Sequence, residues 1–399
     1  MFSDRSGPRD DYFLGVQDAL RRAGFAEPVL VIDRGRLDAN VDFLRRDLPA
    51  EMAVRLVAKS LPCAPLLRRV SSSLKTDRLM TFSVPMLTDL ARSLPGAEQL
   101  LGKPVPVSAA ARFYGEDLEP RAHSGVLWLV DTPRRLAEYG NLATELDRDV
   151  DIVLELDIGL HRGGLEPGPA LAETLALFAR QPRLRFAGFM GYEAHLAKVP
   201  TLLGWRQREV AAAAELYRRA KVQAVEILGG DADGAVYNTA GSPTYRFYRD
   251  TQIANEISIG SALVKPTDFD TDLLEPYDPA LFIATPALKV LPATRIPVLE
   301  RLDGLKRRLN PNLARTVFIH GGYWKAEPVD PPGLRTNRDY CRSTNQEMLN
   351  LGRRGHLEPD DFVFLRPTQS ESVMLQFGDI AVYGDGEILE QWPVLPPSG

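Results

Sequence analysis

Short apolar runs alternate with amphipathic stretches over the first 265 residues, and this alternation limits the possible folds more than any other feature. The runs are Val29–Ile32, Val54–Lys59, Leu79–Ser83, Val105–Ser108, Val126–Val130, Ile152–Asp157, Phe186–Gly191, Ala224–Leu228 and Glu256–Ile259. They carry Val, Ile, Leu and Phe on both faces, as strands buried on both sides do. Between them, Arg36–Arg46 places Leu37, Val41 and Leu44 at helical spacing, and Gly168–Gln181 and Thr201–Ala220 behave likewise. Strands alternating with helices predict a β/α architecture, and their number suits a TIM-type (β/α)8 barrel.

The texture changes near residue 265. Pro266, Pro276, Pro279 and Pro286 follow in quick succession. Later runs at Thr316–His320, Asp361–Leu365, Ser372–Phe377 and Asp379–Val382 have few helical stretches between them. The expected organisation is an N-terminal extension over 1–27, a barrel over 28–265 and a mostly-β domain over 266–399.

Composition excludes several functions. The net charge of -5 on 399 residues, with scattered Lys and Arg, argues against nucleic-acid and anionic-membrane partners. Short basic runs such as Lys306-Arg307-Arg308 read as solvated faces. The two cysteines, Cys63 and Cys341, form no C-x-x-C pair, which excludes a disulfide framework and suits a reducing compartment. Met1–Asp11 is polar and lacks the apolar core of a secretory signal. No apolar run reaches the ~18 residues of a membrane span. The expected location is the cytoplasm.

In a barrel, chemistry sits at the C-terminal ends of the strands. Lys59 closes the run Leu56-Val57-Ala58. Apolar neighbours there can favour a neutral amine, which a Schiff base with a carbonyl cofactor requires. A lone lysine at a strand end more often snorkels to solvent. Asp157-Ile158-Gly159-Leu160-His161-Arg162-Gly163-Gly164 offers close backbone approach and the planar cation of Arg162. Its plainer reading is a glycine-rich turn with a surface arginine. Gly191-Tyr192-Glu193-Ala194-His195 brings a tyrosine and an imidazole to one rim, where His195 can stack or move a proton, or simply pack. Gly229-Gly230-Asp231, after an expected late strand, is placed to cradle phosphate with backbone N–H groups. A lysine, a cation, an aromatic–imidazole pair and a phosphate cradle are together what pyridoxal 5'-phosphate needs.

These blocks, with Val57-Ala58-Lys59-Ser60 and Asn255-Glu256-Ile257-Ser258-Ile259-Gly260-Ser261, resemble the fold-type III pyridoxal phosphate enzymes. The branch is that of D-threonine aldolase and eukaryotic-type D-serine dehydratase, and alanine racemase shares the barrel. The resemblance implies that Lys59 is the Schiff-base lysine and principal base. It implies that Arg162 orients the cofactor oxygen or substrate carboxylate, and that Tyr192 and His195 line the cofactor face. Gly229 and Gly230, with Gly260 and Ser261, would hold the phosphate. It further implies a small amino-acid substrate and a homodimer.

Departures from the pattern concern the reaction. Where that branch usually carries a late His-x-Cys or His-x-Asp metal pair, this chain has Gln369 in place of the histidine and Glu371 in place of the second ligand, and an amide is a poor zinc ligand. Glu371 can bind a hard cation or serve as an ordinary strand-end carboxylate, and the second reading is preferred. Thr344-Asn345-Gln346-Glu347 replaces a second histidine block. Ser258-Ile259-Gly260 stands where many relatives have Arg-Pro-Gly, leaving the pyridine nitrogen without an arginine. Tyr323 is the nearest candidate for the opposite-face tyrosine of a racemase, in surroundings that do not match. The leading expectation is a lyase, aldolase or dehydratase, acting on β-hydroxy D-amino acids. A racemase or epimerase, and a non-catalytic pyridoxal phosphate carrier, are the alternatives.

Overall fold

The structure is a computed structural model describing residues 3–249, 252–295, 308–337 and 342–397. Cys341, Lys306 and Arg307 lie outside the described residues, whereas Cys63 is buried. The chain divides into two compact units. One comprises Val41–Leu263, Thr271–Pro276 and Leu395–Gly399; the other comprises Met1–Asn40, Val264–Asp270 and Tyr277–Val394.

The sheet of the second unit begins with β1, Val29–Asp33. The barrel of the first is closed by β2 (Ala53–Val57), β3 (Arg78–Thr81), β4 (Glu98–Leu101), β5 (Val126–Val130), β6 (Val150–Leu156), β7 (Leu184–Gly191), β8 (Val236–Thr239) and β9 (Glu256–Ile259). Every neighbouring pair is parallel, and β9 returns to β2. The intervening helices start where the sequence provides caps. Ser83 accepts from the Met86 N–H, and Thr132 from the Arg135 N–H, each ahead of a first-turn proline.

Two expected strands are corrected. Val105–Ser108 runs into the helix Val107–Tyr114, and the strand of that repeat is β4. Ala224–Leu228 is the last turn of the 24-residue helix Trp205–Leu228. Its Val225 and Ile227 are exposed on the outer surface, so the apolar run reported a helix face rather than a strand. The strand that follows, β8, is short and half polar. That helix too is not apolar enough to cross a membrane, and no helix among the described residues is.

The lower interior of the barrel is ionic. The Arg55 guanidinium, fully buried, donates to Glu256 at 2.6 and 2.9 Å and to the Leu79 carbonyl at 3.0 Å. It also pairs with Glu98, while Arg78 reaches Glu256 at 2.8 Å. Glu256 is acceptor-only and receives the Asn238 amide at 2.7 Å. Asn238 must then turn its oxygen outward, where the Ser258 hydroxyl donates to it at 3.0 Å. Burial would raise the Glu256 carboxyl, but Arg55 and Arg78 outweigh it and hold it below the ordinary range.

Closure of the barrel also needs one glycine. Gly188 sits at the bulge where β7 shifts register against β6, with φ +139°. A Cβ there would lie 1.8 Å from the Val236 carbonyl oxygen of β8. We expect Gly188→Ala to cost roughly 3 kcal/mol or more, since neither backbone can yield without breaking the ladder. Denaturant unfolding checks this; a loss under ~1 kcal/mol would show that the bulge relaxes.

In the other unit β1 pairs antiparallel with β10 (Leu281–Leu291) and parallel with β16 (Ile380–Gly384). Thus Val29–Ile32, expected as a barrel strand, forms a strand of this sheet instead. β11 (Arg315–His320), β12 (Ala326–Asp330), β13 (Arg335–Thr336), β14 (Gln346–Leu351), β15 (Phe362–Pro367) and β17 (Glu387–Trp392) complete it. Ser372–Phe377, expected as a strand, is a short 3-10 turn and bends. The helix Asp11–Arg22 seats Phe13, Val16 and Leu20 against Val29, Val31, Phe282 and Phe364. The N-terminal extension is therefore part of a packed core.

Candidate active site

Parallel strands put all their C-terminal ends on one rim. At the end of β2 the chain turns through Ala58-Lys59-Ser60, with the Ser60 N–H bonded to the Val57 carbonyl at 3.1 Å. Ala58 and Ser60 are buried and Lys59 is exposed, so its flanks fix the backbone while its side chain stands at the mouth. The ammonium nitrogen lies 4.5 Å from the centre of the Phe82 ring.

The last two strands bring hydroxyls beside it. After β8, the Ser242 hydroxyl oxygen accepts from the N–H groups of Gly260 and Ala262 at 3.1 and 3.0 Å. After β9, the Ser261 and Ser60 hydroxyls are 3.0 Å apart. Gly260 has no room for a side chain, because a Cβ would meet that of Ser60 at 2.8 Å. Gly241 is equally confined, since a Cβ would lie 2.8 Å from Tyr192 Cε2.

The third side comes from β6 and β7. The Arg162 guanidinium lies 5.0 Å from the Tyr192 ring centre. Asp157 accepts from the N–H groups of Gly159 and His161 at 3.0 Å each and meets His161 Nδ1 at 3.0 Å. Burial would raise the Asp157 carboxyl, but these contacts more than offset it and lower it. Glu155, beneath, is raised by burial, against the pull of Arg162. His195 follows Tyr192 in the chain and packs over Gly159, where a Cβ would lie 3.6 Å from its Nε2. Its Nδ1 is buried and has no hydrogen-bond partner among the described residues. Burial lowers its pKa; nearby Glu209 opposes this and His161 adds to it, which favours the neutral imidazole.

Among the expected positions on the barrel, Gly229, Gly230 and Ser258 do not join this rim. Gly229 and Gly230 follow the helix Trp205–Leu228 and precede β8, which puts them at the opposite end of the strands from Lys59. Ala224–Leu228 has the apolar composition of a strand but ends a helix, so the glycines after it enter β8 rather than leave it. The loop that occupies the expected place is Thr239-Ala240-Gly241-Ser242-Pro243-Thr244, visible in sequence as a cluster of small hydroxyl residues punctuated by Gly and Pro. Ser258 lies within β9, buried, with its proton committed to Asn238. Gln369 and Glu371 belong to the other unit, where Gln369 donates to Asp268 at 2.9 Å. Among the described residues, Asp157, His161 and Glu166 on the barrel lie close enough together to hold a metal ion. Tyr323, also in the other unit, is exposed, and its N–H donates to the buried Glu347 at 2.7 Å.

The family model described as "Alanine racemase, N-terminal domain" matches residues 32–268. The chain belongs to that family. The fold-type III pyridoxal phosphate barrel read from the motifs is the fold observed, and enzymes of the alanine racemase family use pyridoxal 5'-phosphate on small amino acids. Among solved structures, the D-threonine aldolase from Filomicrobium marinum superposes with a TM-score of 0.73 at 17% identity, over 92% of this chain and 94% of that one. The D-threo-3-hydroxyaspartate dehydratase from Delftia sp. HT23 gives 0.69 at 14% identity, over 94% and 99%. An alanine racemase from Clostridium difficile 630 gives 0.70 at 14% identity, over 92% and 98%. No curated protein sequence matches the chain. These structural likenesses cover the alanine racemase-type barrel and the second unit alike, at the level of fold.

Proposed function

We propose that this protein is a pyridoxal 5'-phosphate-dependent lyase acting on small β-hydroxy D-amino acids. The cofactor combines an aldehyde, a flat ring and a phosphate. The rim supplies an amine at Lys59, the aromatic and imidazole faces of Tyr192 and His195, and a hydroxyl and N–H lattice around Ser242, Gly260 and Ser261. Gly241 and Gly260 let Tyr192 and Ser60 close against the backbone of this lattice, and an amine, flat faces and clustered hydroxyls side by side fit the group. When bound, the cofactor supplies an electron sink for negative charge at the substrate Cα.

The observation that carries the lyase reading is His195. An imidazole that burial favours in its neutral form, with Nε2 beside the Gly159 loop, can take the proton from a substrate β-hydroxyl as the Cα–Cβ bond breaks. In dehydration the Cα proton goes to Lys59, and an imidazolium form of His195, protonated from solvent, donates the proton with which the β-hydroxyl leaves as water. Lys59 serves as the anchoring amine and as the base at Cα. Arg162, held over Tyr192, is placed to receive a carboxylate or a phenolate oxygen.

D-Threonine, D-serine and D-threo-3-hydroxyaspartate, each with and without divalent metal, test the reading. Release of an aldehyde with glycine, or of a keto acid with ammonia, is the expected result. His195→Ala is expected to lower turnover by roughly 10²–10⁴-fold. Cleavage to glycine and aldehyde should rise as pH passes upward through the lowered imidazole pKa, because only the neutral form accepts a proton. Deuterium exchange at Cα with loss of configuration and no β-product would replace the lyase with a racemase. Tight cofactor binding with no turnover of any amino acid would leave a carrier.

A further inference from the structure

Glu193 directly follows Tyr192 at the end of β7, and its side chain is fully buried. One carboxylate oxygen accepts from the Thr239 hydroxyl at 2.9 Å, the other from the Thr244 hydroxyl at 2.7 Å. The Ala240 N–H also bonds to it. These donors bracket the loop that displays Gly241 and Ser242. Ala240 itself has φ +64°, a left-handed conformation that costs an L-residue ~1–2 kcal/mol. Such strain persists only where the surroundings over-determine it.

The loop's position has consequences on both sides. Gly241 abuts the Tyr192 ring, and Ser242 accepts from Gly260 and Ala262 after β9. A single carboxyl thus ties together the ends of β7, β8 and β9. An apolar side chain would fill the space at less cost, since burying a carboxyl is unfavourable. What a carboxyl adds is acceptor capacity for several converging donors. Burial pushes the Glu193 carboxyl up to about 7, against the Thr244 and Thr239 hydroxyls and the Ala240 N–H, which favour the ion. The neighbouring Tyr217 and Tyr248 hydroxyls are themselves raised by burial and bring no charge at neutral pH.

We propose that Glu193 is the positioning residue of the anion cradle, holding the Thr239–Thr244 loop so that Ser242 and the Gly260–Ala262 turn can receive a phosphate group. This rests on the reading of the rim as a pyridoxal phosphate site, and it gives a role to a residue that the Gly191–His195 block contains without one. Glu193 itself touches no ligand; it acts through the loop.

The test is a binding titration of the full-length protein and its Glu193→Ala, Thr244→Val and Thr244→Ser variants. The probes are pyridoxal phosphate, pyridoxal without phosphate, and inorganic phosphate as competitor, read by absorbance and by borohydride fixation to Lys59. Glu193→Ala and Thr244→Val should weaken pyridoxal phosphate by ~10-fold or more and lose phosphate competition, with pyridoxal affinity unchanged. Thr244→Ser should restore binding, because it keeps the donor. Equal loss for pyridoxal and its phosphate, or unchanged affinity for both, overturns the role of Glu193 while leaving the site intact. A wild-type protein that binds none of the three probes overturns the site and Glu193 together. Should Glu193→Ala fail to fold, the Thr244 pair decides.

Discussion

Lys59→Ala should yield a folded protein that no longer retains pyridoxal phosphate after borohydride reduction and shows no protein-bound cofactor absorbance band. Turnover should fall on the order of 10³-fold or more, since the variant lacks both anchor and base. Stability should stay within about 0.5 kcal/mol of wild type, because the side chain is exposed and its buried flanks, Ala58 and Ser60, are untouched. Lys59→Arg should fail in the same way. A guanidinium keeps the charge over Phe82 but offers no nucleophilic nitrogen. Retention of a borohydride-fixed cofactor by either variant would place the reactive amine on another residue.

The second large effect concerns the barrel's ionic interior. Glu256→Ala removes the partner of Arg55 and Arg78 and strands the Asn238 amide. Arg55 is fully buried, and its remaining carboxylate, Glu98, is partly exposed. Breaking a buried pair from one side costs about 3–5 kcal/mol, which for a domain of ordinary stability is most of the margin. Arg55→Met combined with Glu256→Met should recover part of that loss, since the uncompensated charge leaves with its partner. The pH dependence has a definite sign. Glu256 is depressed when folded, so its contribution is present above the ordinary carboxylate range and disappears as pH falls through the lowered value. Wild type should lose more stability on acidification than Glu256→Gln, measured by thermal or denaturant unfolding across pH. Parallel curves for the two proteins would mean that the network contributes nothing specific.

The likeness between the sequence and the finished rim is uneven, and the reason is visible in particular residues. Lys59, Arg162, Tyr192 and His195 follow strands whose apolar runs are long or clearly bounded, so their place at the C-terminal ends was legible. Gly229 and Gly230 were misplaced because Val225 and Ile227, exposed on a helix, imitate a buried strand. The true strand, Val236–Thr239, hides its character because Asn238 and Thr239 face hydrogen-bond partners rather than apolar neighbours. Val29–Ile32 carries a strand's composition, but composition does not say which sheet a strand joins. That is decided by hydrogen bonding to β10 and β16, more than 240 residues away.

The sequence by itself determined the β/α alternation, the shift to a mostly-β texture after residue 265 and Lys59 as the amine at a strand end. Local hydrophobic patterning and backbone chemistry suffice for these, because each is set within a few neighbouring residues. Only the tertiary structure decided that Ser242, rather than Gly229 and Gly230, joins Gly260 and Ser261 on the rim with Lys59. It alone brought the Glu193 carboxyl to Thr239 and Thr244, and stacked Arg55, Glu256, Asn238 and Ser258 into one polar chain. Those arrangements depend on contacts between strands distant in sequence, where burial strengthens each hydrogen bond and penalises each group left unpaired.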